Sequence, residues 1–360
     1  MFSRKKIKTN MELEIKEQAR VIPEILKNYI DNNKNINIDL PKNIKKIVIV
    51  ASGSSYHCAR FAVDFVENFS KIETRAIYSS EFLLKNIIPK DENTLYIFIT
   101  QSGETSDTLK AVERVKKETK LPTLCITNVI DSSIWNACEY KVACHAGEEK
   151  GIAATKSFTS QMLCLILISL KLIENTDSYN ILEEVKDSLF ELPDIINKTI
   201  NKHKEIKKIA KYLSKEKIIV IAADGIAYSL AKEGALKIKE TSYKNISASI
   251  LGEFMHGHVA VLNNKSTLIY ISIENILERS INNLNKIKED YNPTLIIVGK
   301  GNERIKTDFH IYIECKNKIQ QLFSNVVVLQ LLALETALKL KRNVDNPKGL
   351  HKIVVENSIN

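Results

Sequence analysis

With 360 residues, 44% of them hydrophobic and 26% charged, the chain has the composition of an ordinary globular protein and length for about two domains. Its formal net charge of +9 comes from lysines scattered along helices among acids, which suits a surface attractive to small phosphorylated molecules and gives no reason to expect nucleic acid or membrane as partner. The longest apolar run, 162–170, is about half of a membrane span, and no apolar stretch follows the basic MFSRKKIKTN start, so no secretory signal and a cytoplasmic location are expected.

In chain order, residues 1–36 read as an N-terminal helical segment. A first domain at 37–180 alternates strands at 47–50, 75–78, 94–100 and 123–127 with helices at about 53–69, 80–86, 107–118 and 157–173. Residues 181–210 form a charged, amphipathic helical connector, a pattern that runs on to about Ser214. In a second domain at 211–344 the pattern restarts, with strands at 218–222, 267–273 and 294–298 and a helix at 227–243, and 345–360 is a tail. Such alternation predicts an α/β fold with parallel sheets covered by helices on both faces, built as a distant duplication.

Two strand-to-helix loops carry the first chemistry. The strand at 94–100 empties into Gln101-Ser102-Gly103-Glu104-Thr105, and the strand at 47–50 into Ala51-Ser52-Gly53-Ser54-Ser55. A helix start offers unpaired backbone N–H groups and a partial positive charge, so hydroxyls gathered there suit a phosphate. Neither loop reads GxGxxG or GxxxxGK[ST], which favours a small phosphorylated molecule over a nucleotide.

The helix at 227–243 places Glu233, Lys237 and Glu240 on one face, a spacing that by itself usually marks a solvated stripe. Soon after comes Leu251-Gly252-Glu253-Phe254-Met255-His256-Gly257-His258, whose histidines could exchange protons near neutral pH. Six cysteines without a CxxC pair read as reduced core thiols, and seven histidines without HExxH spacing give no reason to expect a metal.

The motifs ASGSSY from Ala51, SEF from Ser80, QSGETSDT from Gln101, AGEEKGIAATKSFT from Ala146, KEGALKIKETSY from Lys232, GEFMHG from Gly252 and DNPKGLHKIVVE from Asp345 occur in one order along nearly the whole chain. In this the chain resembles the sugar isomerase (SIS) family, and specifically the two tandem SIS domains of the isomerase part of glucosamine-6-phosphate synthase. The resemblance implies two flavodoxin-like αβα sandwiches. It implies Ser54, Ser55, Thr100, Gln101, Ser102 and Thr105 as phosphate ligands, with Thr100 where the synthase has serine. It further implies Glu240 as the base moving a proton between sugar carbons 1 and 2, with Glu233 and Lys237 positioning these groups. His256 would open the sugar ring from a neighbouring subunit in a homodimer, and Lys352 would contact the sugar carbonyl or form an imine with it. Glu149, Ile152 and His351 would touch the sugar, and no cofactor is implied.

The GEEK stretch at Gly147 to Lys150 and the PKGLHK tail look more like stand-alone SIS deaminases, whereas the QSGETSDT loop is synthase-like. The synthase's glutaminase domain has no counterpart in these residues, so no glutamine hydrolysis is expected. The resulting expectation is a glucosamine-6-phosphate deaminase. Alternatives are a fructosamine-6-phosphate deglycase, an ammonia-dependent synthase isomerase component, and a non-catalytic sugar-phosphate-binding regulator.

Overall fold

The computed structural model describes residues 9–174 and 179–352; the first eight residues of the expected N-terminal segment and the expected tail beyond Lys352 lie outside them. Strands β1 (Lys46–Ala51), β2 (Glu73–Tyr78), β3 (Thr94–Thr100), β4 (Thr123–Thr127) and β5 (Tyr140–Ala143) form one parallel sheet in the order β2-β1-β3-β4-β5. Strands β6 (Ile218–Ala223), β7 (Ile246–Ile250), β8 (Ser266–Ile271), β9 (Thr294–Val298) and β10 (Phe309–Ile311) repeat it as β7-β6-β8-β9-β10. Strands β3 and β4 are buried at every residue, and β1 and β9 at all but the first, as expected of β-branched runs with helices on both faces. The α/β tandem read from the sequence is therefore the fold.

In each sheet the order reverses at the first strand, opening a crevice between β1 and β3 and between β6 and β8 at their C-terminal ends. The two sheets meet through helices: Gly53–Ser70 packs against Lys156–Ile173 and Ala227–Ser242, and Ala227–Ser242 packs on Lys318–Lys339. The helices Lys156–Ile173 and Lys318–Lys339 are long and apolar enough to cross a membrane, yet both are buried in the protein core.

Helix Asn10–Tyr29 packs across Lys156–Ile173 and Lys318–Lys339. Its first N–H groups, on Asn10 and Met11, donate to the Asp345 carboxylate at 2.8 and 2.9 Å, so a side chain from the far end of the sequence caps its start.

Two readings of local structure change, and the helical connector resolves into shorter helices. The connector is three helices, Tyr179–Phe190, Leu192–Asn201 and His203–Leu213, and it buries Leu192, Ile196, Ile206, Ile209 and Leu213 in the core. Strand β8 stops at Ile271 instead of Ile273, because the Ser272 hydroxyl turns to the Lys300 carbonyl and the Ser272 carbonyl accepts from the Asn325 amide at 2.8 Å. The face carrying Glu233 and Lys237 is buried rather than solvated, because helix Gly53–Ser70 covers it.

Candidate active site

The loop after β3 is held open by its own hydrogen bonds. Thr100 Oγ1 and Thr105 Oγ1 are 2.9 Å apart, Gly103 N donates to Thr100 Oγ1 at 3.3 Å, and Glu104 N donates to Ser102 Oγ at 3.1 Å. Glu104 turns outward and accepts from Ser133 N and Oγ at 2.8 and 2.7 Å. Gly103 has φ 72°, and a Cβ there would collide with the Ser132 side chain, so only glycine fits. Thr105 makes no side-chain cap to helix Ser106–Glu118, and a helix start carries a partial positive charge.

Opposite stands helix Ala227–Ser242 from the second domain. Lys237, almost wholly buried, lies 3.3 Å from Glu233, pairs with Glu240, and donates to Ser54 Oγ at 3.1 Å. Glu233 also shares a 2.7 Å hydrogen bond with His57 Nδ1, from the first turn of helix Gly53–Ser70. Burial works against charge on all three groups of this helix. For Lys237 the two carboxylates outweigh it and hold the ammonium protonated; for Glu233 the nearby Lys237 and His57 outweigh it and keep the carboxylate ionised. For Glu240 burial prevails over the pull of Lys237 and raises the carboxyl above the ordinary range.

The third wall comes from the chain following β5 and from the tail. Glu149 is buried and accepts from Thr155 N, Ser157 N and Ser157 Oγ at 2.9, 3.1 and 2.7 Å. Lys352 Nζ donates to Glu149 Oε2 at 2.7 Å and to the Gly151 carbonyl at 2.5 Å. Glu149 is lowered in pKa although burial opposes it, because Lys352 and these donors outweigh the burial. Behind this loop Glu14 of the N-terminal helix accepts from Lys150 N and Gly151 N at 2.5 and 3.1 Å, and Ile152 N donates to the Asp345 carbonyl at 3.3 Å.

These walls enclose a cavity of about 690 Å³ at the β1/β3 crevice. Ser54, Ser55, Thr100, Gln101, Ser102, Thr105, Glu149, Ile152, Lys237, Glu240, His351 and Lys352 all line it. Two residues singled out in the sequence do not. Glu233 lies behind Lys237, and His256 is exposed in the turn after helix Leu251–Phe254. Sequence reasoning missed His57, Glu14 and Asp345, whose partners lie 176, 136 and 335 residues away, and no local pattern marks them. Among the described residues no group of histidine, cysteine and carboxylate side chains is arranged to hold a metal ion.

Comparison with known proteins agrees with this architecture. The SIS domain model matches residues 42–170 and 212–340. Curated relatives include the glutamine–fructose-6-phosphate aminotransferases (isomerizing) of Aquifex aeolicus, 31% identical over 95% of this chain, and Campylobacter jejuni, 32% identical over 96%. The chain spans 57 and 58% of those relatives' own length. Among solved structures, the C-terminal domain of glucosamine-fructose-6-phosphate aminotransferase from Francisella tularensis superposes with a TM-score of 0.88 at 26% identity, covering 96% of this chain and 100% of that one. The glucosamine-6-phosphate deaminase of Thermotoga maritima shares the fold, with a TM-score of 0.78 at 22% identity over 97% of this chain and 100% of its own. Since the two matched segments together make up well over half of the sequence, the chain belongs to the SIS domain family and carries that domain twice.

Proposed function

We propose that the chain is a sugar-phosphate isomerase acting on an amino sugar, and specifically that it converts glucosamine 6-phosphate to fructose 6-phosphate and ammonia. The observation that carries this reading is the placement of Glu240, with its raised pKa, in one cavity with the hydroxyl loop Gln101 to Thr105. The loop's hydroxyls and helix amides would hold the phosphate. With the far end of an opened sugar fixed there, carbons 1 and 2 would reach toward Glu240. Its carboxylate would take the proton from carbon 2 and return it to carbon 1, turning the amino aldose into a ketimine that water hydrolyses to the ketose and ammonia. A carboxyl raised by burial is suited to both halves of that exchange. Lys237 would steer Glu240, Lys352 would face the sugar carbonyl, and His256 of a second subunit would assist ring opening in a homodimer.

Incubation of purified protein with glucosamine 6-phosphate should release ammonia and fructose 6-phosphate in equal amounts, and absence of both products rejects the reading. The 31 and 32% identity to aminotransferases favours a second direction, in which the same site joins ammonia to fructose 6-phosphate. Initial rates measured both ways, with ammonium salt supplied for synthesis, distinguish the two.

A further inference from the structure

The two sheets allow corresponding residues to be paired through the backbone. Ala51 of β1 faces Ile99 of β3, and Ala223 of β6 faces Ile271 of β8, so β6 and β8 stand where β1 and β3 stand in the first domain. Strands β1 and β6 both end in a turn with a left-handed glycine, Gly53 at φ 55° and Gly225 at φ 54°, and a helix follows. Setting Gly225 on Gly53 places Tyr228 on Tyr56 and Lys232 on Arg60, two matches of residue type. The same register places Lys237 on Phe65 and Glu240 on Asn68.

A second cavity, of about 720 Å³, opens at the β6/β8 crevice, and Phe65, Asn68 and Phe69 of helix Gly53–Ser70 line it. Each cavity is thus formed by loops of one domain and by the far end of the other domain's helix, and the two are nearly equal in size. In the second the proton-moving pair is gone. A phenylalanine replaces the lysine, and an asparagine, which has no useful basicity, replaces the glutamate.

The hydroxyl cradle is altered as well. Ser272 is the counterpart of Thr100, and its hydroxyl is engaged by the Lys300 carbonyl. In exchange the cavity has cations. Arg279 stands in the first turn of helix Glu278–Asp290 and Lys318 at the start of Lys318–Lys339, 3.9 Å from Glu274. The half-buried Asp224 carboxylate is oriented by the Tyr270 and Ser280 hydroxyls, which donate to one oxygen, Oδ2, at 2.9 and 2.8 Å. Cations for a phosphate, a carboxylate for an ammonium or hydroxyls, and an aromatic floor for a sugar face are all in place.

We propose that this second cavity is a non-catalytic binding site for a hexose or aminohexose phosphate. The ligand class rests on the substrate proposed for the first cavity. Calorimetric titration with glucosamine 6-phosphate, in the Glu240→Gln background where bound sugar is not turned over, should give two equivalents per chain. Adding Arg279→Ala with Lys318→Ala should weaken one of them at least about tenfold, and adding Ser102→Ala with Thr105→Ala should weaken the other. With Glu240 intact, the Arg279→Ala, Lys318→Ala protein should keep its turnover at saturating substrate. A single equivalent, or a second one indifferent to Arg279 and Lys318, overturns the proposal. Failure of the catalytic reading looks different: the sugar binds to the wild type and is not converted, whatever the stoichiometry.

Discussion

Lys352 Nζ lies 2.7 Å from Glu149 Oε2, across 203 residues of sequence, and this pair fastens the tail over the cavity. Glu149 is held below its ordinary pKa in the folded protein. Its contribution is therefore complete above the unfolded value, about 4.3, and is lost as pH falls through the lower folded value. Protease digestion of the tail should accelerate only in that acidic window. In Glu149→Gln it should be fast at neutral pH too, with turnover down by about the 10- to 100-fold that 1.5–3 kcal/mol of a charged hydrogen bond represents. A tail equally protected in the variant would show that the pair does not hold it.

The loop after β3 should hold the phosphate. Replacing Ser102 and Thr105 together by alanine removes two donors to a charged group at roughly 1.5–3 kcal/mol each, so KM should rise at least about tenfold. The far-ultraviolet circular dichroism should stay as in wild type, since both residues lie in the loop between β3 and helix Ser106–Glu118. An unchanged KM would remove the phosphate from this loop.

His57 is buried and shares a hydrogen bond with the Glu233 carboxylate, which is also paired with Lys237. His57→Ala should lower stability by about 1–3 kcal/mol, the cost of a buried acceptor losing a partner. His57→Asn, which keeps a donor, should restore part of this. Urea denaturation measures both, and equal midpoints for wild type and His57→Ala would mean that the pair contributes nothing.

His256 is exposed and does not line the cavity of its own chain. If it acts on a neighbour's site, mixing inactive His256→Ala with inactive Glu240→Gln protein should restore part of the activity once subunits exchange, because each hybrid dimer would hold one site with both groups. Mixtures that stay inactive after demonstrated exchange exclude the shared site.

What the sequence made legible follows from the range of the interactions. The apolar runs of β1, β3, β4 and β9 announce themselves because buried parallel strands need no alternation, and the hydroxyl loop after β3 is contiguous. Strands β7, reading ISASI, and β10, of three residues, are too short or too polar to stand out, and they form because β6 and β9 offer them an edge. The stripe Glu233, Lys237, Glu240 looks solvated in isolation because its spacing is that of any exposed Glu-to-Lys pair. Only the arrival of helix Gly53–Ser70, with His57 and Ser54, buries it. Helix Asn10–Tyr29 is foreseeable as a helix, while its bonds to the Glu149 loop through Glu14 are not, since they depend on how the chain ends meet.

Glu240 separates catalysis from mere binding. A glutamine has nearly the shape of glutamate and still hydrogen-bonds, but it cannot accept and return a proton near neutral pH. Glu240→Gln should leave sugar-phosphate affinity within a few fold and lower turnover by about 10² to 10⁴. It should also abolish exchange of the carbon 2 hydrogen with deuterated water, which reports the proton transfer itself. Because burial raises the Glu240 carboxyl, the acidic limb of kcat/KM should fall at a pH above the ordinary glutamate value of about 4.3 and should vanish in the variant's residual activity. Hydrogen exchange that persists in Glu240→Gln assigns the proton transfer to another group. A wild type that binds glucosamine 6-phosphate yet shows neither ammonia release nor exchange is a binding protein.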